Sequence, residues 1–163
     1  MDFLSTQLGI FPLGIWISTI IVTVLALMNL VFQSISLINW KLALKIGAQE
    51  MPIDDEDTVN RTQMVLEWGF CVADVISHII ILPLAIYFTL HASFWGFVLI
   101  SFLFLFYLYI AVMGTAQRIA LVKFGLKKSF AQYIPVIKIL WGFNIFSIIG
   151  LISLWTNAGY FGL

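Results

Sequence analysis

Apolar residues run almost unbroken through four stretches of this chain, at about 12–40, 67–90, 93–117 and 133–155. Each exceeds the roughly 20 residues that a helix needs to cross bilayer hydrocarbon. The pattern predicts an all-α fold: a polytopic membrane protein with a four-transmembrane-helix bundle, forming one domain over residues 1–163. Local signals sharpen the ends. Pro12 suits a helix start, and Pro135 falls in the first turn of the fourth span. Trp16 and Trp40 stand near the two ends of the first span, where interfacial aromatics collect. Pro83 lies mid-span and predicts a kink, because it removes the bond to the Ile79 carbonyl. Only His91 and Ala92 separate the second span from the third, so a very short turn is expected there.

The polar stretches read as connections. Lys41 and Lys45 continue the first helix outward, Gly47 is a stop, and Pro52 blocks a return. The acids Asp54, Asp55, Glu56 and Asp57 do not fit a calcium loop, which needs Gly at its sixth position. They suit a helix N-terminus, with Asp54 or Asp55 capping a second helix that begins near residue 55 in water. In the later connection, about 118–132, Gly125 is the expected break.

Polar residues inside the spans change the picture most. Glu67, Cys71, Asp74 and His78 recur at steps of four, three and four, which places them on one stripe of a helix. Asn29, Gln33 and Ser36 form a second stripe by the same rule. Ionisable groups in hydrocarbon are costly and need partners or a polar cavity. At a rise of 1.5 Å per residue, Asp74 lies roughly 9 Å past Trp68, Lys138 roughly 8 Å past Tyr133, and His78 and Asn29 both near about 15 Å depth. Gln33 falls near about 10 Å on the same ruler, and Tyr109 reaches a similar level. A polar cluster of Asn29, Gln33, Asp74, His78 and Lys138 is therefore expected, with Glu67 at its mouth. An Asp74–Lys138 ion pair would reduce the cost of both charges. The competing arrangement has Lys138 snorkelling along its own stem to the head groups. His78 is read as a structural bundle histidine, as a carrier in proton or ion work, or, last, as a metal or haem ligand. Cys71 is read as a small packing residue. Gly69 and Ala73 form a small-xxx-small pair that permits close helix approach.

Composition agrees with the pattern. The chain has 163 residues, 62% hydrophobic and 10% charged, against roughly a quarter charged in soluble domains. Net charge is zero, so a general attraction to nucleic acid is not indicated. The single Cys71 excludes an intrachain disulfide and dithiol chemistry. Met1-Asp-Phe-Leu-Ser5 lacks the basic segment of a signal peptide, so the first run is read as a retained span. Lys41, Lys45 and Arg61 occupy the first connection, and Arg118, Lys123, Lys127 and Lys128 the third. The positive-inside rule then puts both connections in the cytoplasm and both termini on the non-cytoplasmic side. The outline resembles the small membrane-associated eicosanoid and glutathione enzymes. Arg61 and Glu67 fall near the Arg and Glu that open that group's second span. The Asn before its Glu has no counterpart, since Met64 and Trp68 hold the nearby places.

No catalytic motif, phosphate loop or metal-ligand spacing is present, and the sequence names no cofactor. The first functional reading is a small integral membrane subunit, working in a homo-oligomer or with other membrane subunits. Its polar cluster would pin helices and relay protons or a small ion. The Phe-rich third span (Phe94, Phe97, Phe102, Phe104, Phe106) would face lipid or a partner. The rival is an enzyme whose lipophilic substrate enters from the bilayer, with Glu67, Asp74 and His78 as acid–base groups. Arg118, Lys123, Lys127 and Lys128 would then contact an anionic head group. An oligomeric small-solute transporter is the third reading.

Overall fold

The computed structural model describes residues 3–50, 57–127 and 129–163. A two-stranded hairpin, β1 (Gln7–Leu8) and β2 (Phe11–Pro12), leads into α1 (Leu13–Ile38). A short α2 (Trp40–Lys45) follows, then α3 (Thr58–Leu90), α4 (Phe94–Lys123) and α5 (Ile134–Trp155). α1, α3, α4 and α5 are each long and apolar enough to cross a membrane. They form a four-helix bundle in which α1 packs on α3, α3 on α4, α4 on α5 and α5 back on α1. α3 and α5 are therefore diagonal to one another.

The ends of the elements follow local chemistry. α1 stops at Asn39, whose side chain accepts from the Leu42 amide at 3.0 Å and so caps α2. The expected single helix thus breaks into two there. Gly47, at φ +75°, ends α2, with the Ala48 amide bonding back to the Ala43 carbonyl. The expected caps Asp54 and Asp55 lie outside the described residues. Asp57 performs the role, accepting from the Val59 amide at 2.8 Å. α3 runs on through Pro83 to Leu90, and the turn at His91 and Ala92 is as short as the pattern requires. α4 continues six residues beyond the expected 117, through Ile119, Ala120, Leu121 and Val122, until Gly125 at φ +71° stops it.

The outside of the bundle is apolar, and polar side chains are set into an otherwise apolar core that includes Ile15, Val22, Ile100 and Leu103. Ser18, Asp74, His78, Arg118, Asn144 and Ser147 are buried. Ile20, Ile76, Ile80, Leu105, Ile145 and Ile152 are exposed. The inward face of α5 is made of Asn144, Ser147, Gly150 and Ser153, which lets α4 approach closely. The Phe104 ring lies where a side chain at Gly150 would stand. The Phe-rich span still has most of its residues outside the core, as expected. Of the four spanning segments, α4 is the most buried, with Phe97 and Phe104 in the core and Phe94 and Phe102 outside. Gly69 and Ala73 are exposed on the outside of α3, so no helix of this bundle uses the close approach they permit.

One end of the bundle is closed by aromatics. Phe11 of β2 meets Tyr160 edge-on at 5.7 Å, Phe161 packs on Phe97 at 5.6 Å, and the Tyr160 hydroxyl donates to the Thr89 carbonyl at 3.2 Å. The other end carries the basic connections. There Lys127 pairs with Asp57 at 2.6 Å, tying the start of α3 to the segment after α4.

Candidate functional site

Two polar groupings lie in the half of the bundle nearer the basic end. In the first, α1 and α3 meet through amides and a carboxylate. Gln33 donates to Asp74 Oδ2 at 3.1 Å and Asn29 donates to the same oxygen at 3.4 Å. Gln33 also donates to Asn29 Oδ1 at 3.3 Å. One turn along α3, His78 is 2% exposed and uses both ring nitrogens. Nδ1 lies 2.7 Å from the Asp74 carbonyl and Nε2 lies 2.7 Å from the Tyr107 hydroxyl. A carbonyl can only accept, so Nδ1 carries a proton; in a neutral ring Nε2 then accepts from Tyr107. His78 is thus held between α3 and α4 with no free nitrogen.

The second grouping centres on Arg118. It was expected in the basic connection as a head-group contact, but it lies within α4 and turns inward, its side chain 7% exposed. Its guanidinium donates to Glu50 Oε2 through Nε at 3.0 Å and Nη2 at 2.9 Å, and to the Gly114 carbonyl through Nη1 at 3.0 Å. Glu67 stands 3.8 Å from the same guanidinium. Glu50 and Gln49 reach this place from the segment after α2. Gln49 donates to Ser36 Oγ at 3.0 Å and lies 3.3 Å from Cys71 Sγ, so the segment folds back over the bundle end. Burial pushes the Glu50 carboxyl up from its ordinary value of 4.5, and the Arg118 charge pulls against that rise.

Several expected participants stand elsewhere. Lys138 is exposed and makes no ion pair or hydrogen bond among the described residues, so the expected Asp74–Lys138 pair does not form. The reason is azimuth: α5 is diagonal to α3, with α1 and α4 between them. Tyr109 is 61% exposed, and Tyr107, about 200° away round α4, takes the inward place. Lys123 extends near the Phe124 ring, Lys127 pairs with Asp57, and Lys128 lies outside the described residues. Arg61 is exposed on the first turns of α3. Sequence reasoning missed Gln49, Glu50, Gln63 and Tyr107. The place of Arg118 did carry a signal: only the isolated Gly114, which a helix tolerates, interrupts the run before it.

A cavity of about 280 Å³ joins the two groupings. Phe70, Ala73, Phe106, Ile110, Met113 and Leu140 supply apolar walls. Its polar side is Gln33, Gln49, Glu50, Gln63, Glu67, Asp74 and Arg118. Phe70 and Ala73 of α3 and Tyr109 of α4 line it and are exposed on the outside of the bundle, so it opens between those two helices. Gln63 is 4% exposed, lines the cavity, and has neither amide atom in a hydrogen bond of proper geometry, although Glu67 is its neighbour. Glu50 Oε1 is likewise buried and unpartnered. Among the described residues no three His, Cys, Asp or Glu side chains converge as metal ligands do. Comparison with protein-family models, with curated proteins and with solved structures finds no match.

Proposed function

We propose that this chain is a multi-pass membrane protein whose bundle binds an amphiphilic small molecule taken from the bilayer between α3 and α4. The observation that carries this reading is the cavity: apolar walls reach the outside of two spanning helices, and the inner end holds polar groups with open valences. Ligand sites commonly combine a mostly apolar lining with a few convergent polar groups. Asn29, Gln33, His78 and Tyr107 pin α1, α3 and α4 around it, and Asp74 belongs to both the pinning network and the cavity wall. The engaged nitrogens of His78 weigh against it as the acid–base group of an enzyme or as a proton carrier. In the membrane, the end with Lys127 and Arg118 faces the cytoplasm and both termini face the opposite side, by the positive-inside rule.

The test is purification from native membrane in mild detergent, followed by mass spectrometry of extracted small molecules. A lipophile should co-purify in stoichiometric amount with the natural chain and be lost from Ala73→Trp, where an exposed wall position receives a ring that fills the opening. An equal yield from Ala73→Trp, or no bound molecule at all, overturns the reading. A second reading, a subunit of an oligomer or larger membrane complex, is supported by Gly69. That residue is exposed, with open space where a side chain would stand. Another helix could approach closely there. Gly69→Leu should then lower the oligomer fraction in native mass spectrometry; an unchanged mass distribution removes this reading.

A further inference from the structure

The chemistry of the cavity's polar side selects among amphiphiles. Three carboxylates, from Glu50, Glu67 and Asp74, line it, and one guanidinium, Arg118, stands against the first two. Arg118 is already engaged: every one of its nitrogens contacts Glu50, Glu67 or the Gly114 carbonyl. The acids are not so fully occupied. Asp74 receives both its amide donors on Oδ2, and no donor reaches Oδ1 among the described residues. Glu50 takes Arg118 on Oε2 and leaves Oε1 buried without a partner. Beside them the Gln63 amide is 4% exposed and lines the same cavity, with Glu67 as its neighbour but no hydrogen bond of proper geometry at either atom among the described residues. Buried polar groups normally have a protein or water partner, and although Thr19, Ser101, Tyr133, Asn144 and Ser147 also carry unpartnered buried atoms elsewhere in the bundle, three such atoms gather on Glu50 and Gln63 at this one cavity.

An anionic head group would meet this surplus of carboxylates at close range and be repelled. A bound metal ion would need ligands that converge, and these do not. Glu67 and Asp74 are two helical turns apart, about 10 Å along α3. An ammonium tolerates this better than a metal ion, since it can hydrogen-bond one carboxylate directly while the others act on it through their charge. The expected attraction of an anionic head group to the basic connection is therefore reversed in sign inside the bundle.

We infer that the cavity takes a single-chain amphiphile with a cationic, amine-type head group. Its ammonium lies among Glu50, Glu67 and Asp74 with Gln63 as a further hydrogen-bond partner, and its tail leaves past Phe70 and Ala73. This rests on the amphiphile reading above and adds the charge of the head.

The experiment uses the full chain in phosphatidylcholine nanodiscs and radiolabelled dodecylamine at neutral pH, with empty discs as the blank. Saturable binding near one molecule per chain is expected. Unlabelled dodecylamine should displace it, while dodecanol and lauric acid at tenfold excess should not. Asp74→Asn and Glu67→Gln should each weaken binding by tenfold or more. Asp74→Asn keeps an oxygen for the Gln33 amide, and a melting curve near that of the natural chain shows that the variant is folded. Should Asp74→Asn fail to fold, Glu67→Gln carries the test, because Glu67 takes no part in the contacts between α1 and α3. Equal displacement by all three twelve-carbon compounds overturns the cationic head while leaving an amphiphile site standing. Unchanged binding in both folded variants overturns it too. Absence of saturable binding by dodecylamine, dodecanol and lauric acid alike removes the amphiphile reading itself.

Discussion

Replacing Arg118 with Met removes the one cation shared by two inward carboxylates. The Arg118 and Glu50 side chains are 7% and 11% exposed, and their nearest atoms are 2.9 Å apart. Loss of one partner from a buried pair typically costs about 3–5 kcal/mol, because the other charge is left uncompensated. For a chain of this length each kcal/mol lowers the melting temperature by about 2–4 °C, so Arg118→Met should melt about 6–20 °C below the natural protein. The triple variant Arg118→Met, Glu50→Gln, Glu67→Gln removes every charge of the group and should recover most of that loss, since uncharged replacements of buried ion pairs are often neutral. Cys71 provides the assay. It is the only cysteine and is 1% exposed, so its reaction with a fluorogenic maleimide during heating reports opening of the bundle.

The pH dependence has a defined sign. The Glu50 carboxyl is already raised above 4.5 by burial, with Arg118 opposing the rise. Without Arg118 the burial effect acts alone and the value climbs further. A group raised in the folded state contributes stability that is full below its unfolded value and is lost as pH increases through its folded value. Arg118→Met should therefore lie closer to the natural protein at pH 5 than at pH 8. A variant that melts within 2 °C of the natural chain at pH 8 would refute the buried-pair reasoning, as would a triple variant no more stable than Arg118→Met.

Three other perturbations test separate parts of the structure. Gly150→Val places methyls where the Phe104 ring lies and should cost about 1–3 kcal/mol, with Phe104→Leu restoring part of it in the double variant; additive losses in the same melting assay would count against the close approach of α4 and α5. Tyr107→Phe leaves His78 Nε2 without its partner and should cost about 1–3 kcal/mol, whereas His78→Leu on the same background should give back some of the loss. Asp57→Ala should loosen the first turn of α3, measured by amide exchange of Val59 and Asn60. The Asp57 carboxyl is held below its ordinary 3.8 by the Lys127 and Val59 hydrogen bonds, so its contribution is present above that value and fades as pH falls through the lower folded one. The difference between variant and natural chain should shrink towards pH 3.

The spans were legible because crossing hydrocarbon imposes a length and an apolar composition that few other structures share. Depth was legible for the same reason: a fixed rise per residue puts Asn29, Gln33, Asp74 and His78 in one slab, where the first three side chains meet and His78 bonds the Asp74 backbone carbonyl. Azimuth was not. Lys138 has the right depth but stands on the helix diagonal to Asp74, and Tyr109 has the right depth but the wrong side of α4. Which helices are neighbours depends on packing between surfaces, and four runs of similar apolarity leave that order open. Gln49 and Glu50 were hidden for a different reason. They enter the site from a connection without periodicity, where nothing separates a residue that folds inward from one that stays in solvent.

The two polar groupings differ in a way that separates scaffold from site. The His78 end is closed: both ring nitrogens are occupied, and Tyr107 and the Asp74 carbonyl are its partners on either side. Such a network holds α3 against α4 and asks for nothing more. Across one turn of α3 the grouping is open: among the described residues Glu50 Oε1 and both amide atoms of Gln63 are buried without a hydrogen bond of proper geometry, and no donor reaches Asp74 Oδ1, beside a cavity that reaches the apolar exterior. Register alone does not require this, since neutral side chains such as Asn29 and Gln33 already join the helices, and a half-satisfied buried network is less stable than an apolar core. Retaining Glu50 and Glu67 on one arginine, with Asp74 as a third acid on the same cavity, makes physical sense when a further group completes them. The place to look for that group is the bilayer, through the gap between Phe70 and Tyr109.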